Sequence, residues 1–188
     1  MMRKLRWSMV IVMVSLAILS CSQQGKRNEA QAAVETQGNG GEETMAESPT
    51  NDSGKEFAPD FTLNDIGGKP FKLSSLRGKY VMLDFWGSWC IWCVRGFPKM
   101  KEYYAKYNDK FEIVGIDCRD SQESWKETVN TQQLPWLHVY MPDDSPLMET
   151  YNIQGFPTKV IIAPDGTLVQ TFIGESDDFY TTLDNLFQ

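Results

Sequence analysis

Trp86-Gly87-Ser88-Trp89-Cys90-Ile91-Trp92-Cys93-Val94-Arg95-Gly96-Phe97-Pro98 sets two cysteines three positions apart where a strand gives way to a helix. The run leading into it, residues 79–86, is short, almost wholly apolar and rich in aromatics, the pattern of a strand buried on both faces. Beyond it Met100, Tyr103, Tyr104 and Tyr107 recur at helical spacing. Cys90 therefore falls at or just before a helix N-terminus, where free N–H groups and the positive end of the helix dipole favour an anion. Such placement lowers a cysteine pKa from ~8.5 toward about 3.5–7.5, and the thiolate is the nucleophilic form. Cys93, one turn on, is well placed to close a short disulfide with Cys90.

Two plainer roles for the pair compete with redox exchange. A structural zinc site needs about four ligands. The chain holds four cysteines and one histidine, with no second Cys-x-x-Cys and no His pair. A purely structural disulfide enclosing two residues removes little entropy from the unfolded chain and makes a poor staple. Redox exchange is the favoured reading.

Asp84-Phe85-Trp86, then Trp89-Cys90-x-x-Cys93, then proline five residues after the second cysteine resembles the active-site segment of thioredoxins. Phe57-Ala58-Pro59-Asp60-Phe61-Thr62-Leu63, Gly67-Gly68-Lys69 and Leu73-Ser74-Ser75-Leu76-Arg77-Gly78-Lys79 narrow the likeness to the TlpA/ResA-like branch, membrane-tethered extracytoplasmic thioredoxins. The resemblance spans roughly residues 56–188, in order.

The remainder of the chain sets the organisation. A formal net charge of −7 with no basic stripe argues against a nucleic-acid partner. The N-terminus is cationic through Arg6, and residues 9–19 are nearly unbroken apolar sequence, the n-region and h-region of a secretory signal. A membrane span needs about 20 such residues, so this run is short for one. Ile18-Leu19-Ser20-Cys21 resembles a bacterial lipobox, which makes residues 1–20 a signal peptide and Cys21 the lipidated first residue of the mature protein. Several acyl chains anchor durably where one is marginal, since each buried CH₂ contributes ~0.8 kcal/mol. Residues 22–56 carry Gln, Glu, Asn, Gly, Ser and Thr, with Val34 and Met45 as the large apolar exceptions. Such a stretch cannot bury a core and is expected to be a disordered linker. Its root-mean-square reach is roughly 30 Å for about 35 residues.

Within residues 56–188 the order of elements predicts an α/β, thioredoxin-like fold: a mixed central sheet, helices on both faces and an added N-terminal β-hairpin. Residues 57–63 and 70–73 flank the turn of that hairpin. Residues 111–117 form a second strand parallel to the first. Ser121 caps a helix running to about Gln132, with Trp125 and Val129 inward. Residues 134–140 read as a strand, 146–151 as a brief helix and 158–173 as a hairpin about Pro164-Asp165-Gly166-Thr167. A final helix over 177–187 turns Phe179, Leu183 and Leu186 inward. Gly96 and Pro98 are poor helix-interior residues, so a kink is expected near Pro98.

Asp84 lies inside the apolar strand, where an ionised carboxylate is costly unless paired, so its pKa is expected to be raised; an edge position reaching solvent is the alternative. By resemblance to thioredoxin, Asp84 takes the proton from Cys93 as that thiol attacks a mixed disulfide. Most TlpA-like sequences resemble Asn at this place, so by resemblance the Asp points toward thioredoxin-like reducing behaviour. Gly155-Phe156-Pro157-Thr158 resembles the family's cis-proline loop, whose Phe156 backbone pairs with an extended substrate. Trp86 and Trp89 match aromatics that flank the family's site, with packing as the alternative role, and Trp92 is placed to grip a partner if exposed. Ile91-Trp92 departs from the Gly-Pro or Pro-Pro usual between such cysteines. Cys118 reads as a small buried hydrophobe, with a third redox thiol as the lesser alternative. His138 reads as a half-buried strand residue.

The expectation is an extracytoplasmic thiol-disulfide oxidoreductase working as a reductant through Cys90 and Cys93, with no metal or organic cofactor. By resemblance its electrons come from a membrane thiol-transfer protein, and its clients are disulfide-bearing envelope proteins such as apocytochrome c. Two rivals differ in class. A peroxiredoxin-like peroxidase wants Thr three residues before its reactive cysteine, where Gly87 stands. A thioredoxin-fold copper chaperone wants wider cysteine spacing and a histidine near Pro157; His138 is too early.

Overall fold

The computed structural model describes residues 54–188. The signal peptide, the lipidation of Cys21 and most of the linker lie outside the described residues. Strands β1 (Thr62–Asp65), β2 (Pro70–Lys72), β3 (Tyr80–Trp86), β4 (Phe111–Asp117), β5 (Leu137–Tyr140), β6 (Thr158–Ile162) and β7 (Leu168–Ile173) join in one sheet in the order β2-β1-β5-β4-β3-β6-β7. The three inner strands β3, β4 and β5 run parallel, while β6, β7, β1 and β2 continue the sheet by antiparallel pairing. This is the mixed thioredoxin-like sheet expected from the order of elements.

The helices are α1 (Ile91–Tyr107), α2 (Gln122–Gln132), the short α3 (Leu147–Thr150) and α4 (Asp177–Phe187). Alternation along β3 sends Val81, Leu83 and Phe85 to one face and Met82, Asp84 and Trp86 to the other. The second face carries the larger core, built with α1, α2 and α4 from Phe97, Met100, Trp125, Val129, Phe179 and Leu183, and it includes both Cys90 and Cys93. Leu83, Phe85, Val114, Ile116 and Val160 pack on the opposite face beneath Leu73, Leu147 and Tyr151.

Several local expectations shift. The first strand begins at Thr62 rather than 57, and Leu73 starts a 3-10 turn instead of ending a strand. Phe57 instead bridges Thr167, and Ala58 N–H donates to Gly166 O at 2.9 Å, so this segment is pinned to the β6–β7 turn. β5 covers Leu137–Tyr140 alone, because Gln133 takes a left-handed conformation (φ 51°) that ends α2 and turns the chain at Leu134. In α4, Tyr180 and Phe187 are buried together with Phe179 and Leu183, whereas Leu186 is half-buried. The ring of Phe187 stacks on Phe111 at 5.3 Å, which seats the last turn against the sheet through Phe187. α1 continues through Gly96 and Pro98 as one helix, Pro98 forgoing the N–H bond that an ordinary residue there makes. Phe97 and Met100, buried side chains at that point, hold it to the sheet.

Candidate active site

β3 ends at Trp86, and the next four residues lead directly into α1, so the parallel strands deliver the cysteine pair to their carboxyl edge. Cys90 is the N-cap of α1 with extended backbone (φ −85°, ψ 99°), and its Sγ accepts from Cys93 N–H at 3.2 Å. The two sulfurs form a disulfide with Cα atoms 5.3 Å apart. Cys90 retains 5 % exposure and Cys93 only 1 %, so an incoming group reaches Cys90 first. Once reduced, Cys90 sulfur sits where first-turn N–H groups and the helix dipole stabilise negative charge.

The loop between strand and helix is held from two sides. Ser88 N–H donates to Asp120 Oδ2 at 2.7 Å, and Trp89 Nε1–H donates to the Cys118 carbonyl at 3.0 Å. Gly87 is required for this closure: a Cβ there would run into the Trp89 indole and lie 2.8 Å from Cys118 O. The site therefore has no room for the hydroxyl residue that a peroxiredoxin-like mechanism places there.

Trp89 is half exposed, and its ring meets Phe156 edge-on at 5.2 Å. The Phe156–Pro157 peptide is cis, and Arg119 is stacked 5.6 Å from the Phe156 ring, so this loop meets the segment around Trp89. Trp92 is 58 % exposed and carries Arg95 at 5.0 Å. Ile91 is equally exposed. Trp86, by contrast, is fully buried against Phe97 at 5.2 Å and has a packing role.

Asp84 lies on the central strand, not at an edge, and is 1 % exposed. Burial drives its pKa up; Lys159 opposes that rise and Glu175 adds to it. Lys159 is opposite Asp84 in the β3–β6 register, itself 1 % exposed, with Nζ 3.5 Å from Asp84 Oδ1 and 2.6 Å from Glu175 Oε1. Neither Lys159 nor Glu175 stands out in the sequence, being 75 and 91 positions from Asp84. The available signal was a lysine within the apolar run Thr158-Lys159-Val160-Ile161-Ile162, too long a run for an exposed edge.

A second acidic pair also escaped sequence reasoning. Asp117 is wholly buried at the end of β4 with neither carboxyl oxygen hydrogen-bonded, and burial followed by the nearby Asp120 charge pushes its pKa up to about 8. Cys118 is buried with its S–H directed to Ile116 O at 3.3 Å, and burial raises its thiol pKa strongly. His138 is fully buried between the rings of Trp86 and Trp136, not half-buried, and burial lowers its pKa to about 4. The two flanking indoles are the reason: Trp86 from β3 and Trp136 just before β5 close over the imidazole.

A family model described as Thioredoxin-like matches residues 78–168. The chain is 38 % identical over 123 residues to the thiol-disulfide oxidoreductase ResA of Bacillus thuringiensis (strain Al Hakam), covering 65 % of this chain and 70 % of that protein. Among solved structures, the thioredoxin domain of a thiol-disulfide oxidoreductase from Bacteroides vulgatus is similar at TM-score 0.66 and 30 % identity, over 71 % of this chain and 97 % of that one. A thiol:disulfide interchange protein from Bacteroides sp. is similar at TM-score 0.64 and 30 % identity, over 71 % and 89 % of the two chains. The likeness runs through the strand, helix and proline loop that converge on Cys90, and by it the chain belongs to the ResA-type thiol-disulfide oxidoreductases of the thioredoxin-like fold.

Proposed function

We propose that this oxidoreductase works outside the cytoplasm as a reductant of disulfides in envelope proteins, its domain of residues 56–188 carried on a linker from a lipid at Cys21. The observation that carries the reading is a reachable sulfur at the head of α1 above a buried carboxyl on the same sheet face. Cys90 thiolate attacks a client disulfide and forms a mixed disulfide while one client sulfur leaves. Cys93 gives its proton to Asp84 and attacks Cys90, so the second client sulfur is released and the Cys90–Cys93 disulfide forms. Trp89, Trp92 and Phe156 provide apolar surface, and the cis Pro157 turn offers backbone to an extended client segment. Electrons return from a membrane thiol-reductant donor, and apocytochrome c segments of the Cys-x-x-Cys-His type fit as clients. A secretory N-terminus ending in a lipobox-like Cys21 supports the location.

Insulin reduction tests the chemistry and the redox equilibrium with glutathione tests the direction. A potential near about −270 mV supports the reductant and one near about −120 mV overturns it. A Cys90→Ser variant that reduces insulin as fast as the parent overturns the mechanism altogether.

A further inference from the structure

We infer that Lys159 and Glu175 are positioning residues for the proton step: they form with Asp84 a three-member cluster, buried at Asp84 and Lys159, that accepts one proton, and Asp84 is where that proton resides. This rests on the proposed exchange through Cys90 and Cys93. The three side chains come from β3, β6 and the loop after β7, and they meet because Asp84 and Lys159 are register partners on adjacent strands. The Lys159 ammonium is buried, 5.6 Å from the Phe179 ring and within reach of two carboxyl groups.

Charge counting gives the consequence. With all three groups ionised, the cluster carries one surplus negative charge in a medium that penalises it. A single added proton neutralises it. Distances decide which carboxyl takes that proton. Glu175 Oε1 accepts from Lys159 at 2.6 Å and Oε2 from the Tyr180 hydroxyl at 3.2 Å, whereas Asp84 Oδ1 is 3.5 Å from the ammonium and makes no hydrogen bond. Glu175 is the member with the shorter donor contacts, and Asp84 Oδ1 the carboxyl oxygen left without one. Cys90 and Cys93 belong to the core on the sheet face to which Asp84 points, and Tyr180 of α4 and the Cys118 thiol after β4 are close enough to feel its charge.

The fit of Glu175 depends on Gly96. A Cβ at position 96 would fall inside the Glu175 carboxylate, so that carboxylate rests against the α1 backbone three residues beyond Cys93. Glu175 also lines a surface groove of about 270 Å³ with Trp92, Arg95 and Lys99. The cluster thus reaches from beneath the sulfurs to solvent beside them.

In the step served, the Cys93 S–H proton passes to Asp84, the Cys93–Cys90 bond forms, and the Cys90–client bond breaks with its electron pair leaving on the client sulfur. The client gains two electrons and the dithiol loses them. Asp84 then returns its proton to solvent or to the departing thiolate.

Ellman's reagent separates the steps, using the full chain with Cys21→Ser as parent. Cys90 attack releases one thionitrobenzoate, and Cys93 attack on the resulting mixed disulfide releases a second, both followed by stopped-flow absorbance across pH. Glu175→Gln frees Lys159 for Asp84 and is expected to move the inflection of the second phase to lower pH. Lys159→Met is expected to move it to higher pH, and Asp84→Asn to flatten it. A displacement of one pH unit is about a tenfold rate change at fixed pH on the acid limb. Displacements in the same direction, or none, overturn the inference while both phases persist. Should Lys159→Met not fold, Glu175→Gln alone decides, since it is near-isosteric at a partly exposed residue. Absence of the first phase in the parent overturns the proposed function and this cluster's role with it.

Discussion

Replacing Asp117 by Asn should change how stability responds to pH far more than it changes stability itself. Asp117 is wholly buried, neither of its oxygens is hydrogen-bonded, and Asp120 lies nearby with its carboxylate on Ser88 N–H. Burial first, then the Asp120 charge, raises the folded pKa from 3.8 to about 8. Between those values the folded chain keeps a proton that the unfolded chain has released. Stability from this group is therefore complete below the unfolded value, declines as pH rises, and is gone once pH passes the folded value. Each pH unit in that window is worth about 1.4 kcal/mol, so about 3–4 kcal/mol disappears between about pH 5 and about pH 8. Asparagine has no proton to lose and is neutral beside the Asp120 carboxylate at every pH in the interval. Urea unfolding of parent and variant, disulfide intact, should show the gap moving in the variant's favour by that amount over the interval. A gap constant within about 1 kcal/mol would refute the assignment of a neutral Asp117.

Phe97→Ala removes a ring that is 1 % exposed and wedged edge-on between Trp86 at 5.2 Å and Trp136 at 6.3 Å, and should cost about 3–5 kcal/mol in urea unfolding. Cys118, buried with a strongly raised thiol pKa, should be alkylated by iodoacetamide more than about a hundredfold more slowly than Cys90 in the reduced native chain, and freely in denaturant, as read by peptide mapping.

The chemistry of the sulfurs was legible because it is local: the strand end, turn, N-cap and first helical turns follow one another within thirteen consecutive residues, and each obeys its own short-range rule. Asp84 was legible for the opposite reason, a charge in an apolar run that its neighbours do not explain. The partner of that charge was not, since pairing across β3 and β6 is set by sheet order, and no periodicity encodes a contact with Lys159. The burial of His138 has the same cause: it depends on Trp86 of β3, two strands away in the sheet, closing over it. Glu175 required a still less visible clue, the missing side chain at Gly96.

The attachment of residues 56–58 at the β6–β7 turn has a mechanical consequence. That turn touches Gly78 at the start of β3, and Leu168 N–H donates to Glu56 O at 2.8 Å. Cys90 lies beyond the other end of the same strand, about 20 Å away at ~3.3 Å per residue. The domain thus takes in residues 56–58 at one end of β3 and carries its sulfurs beyond the other. Upstream chain joins it where no visiting cystine needs to land, and tension on that handle is borne by backbone pairing at the far pole, away from the sulfurs.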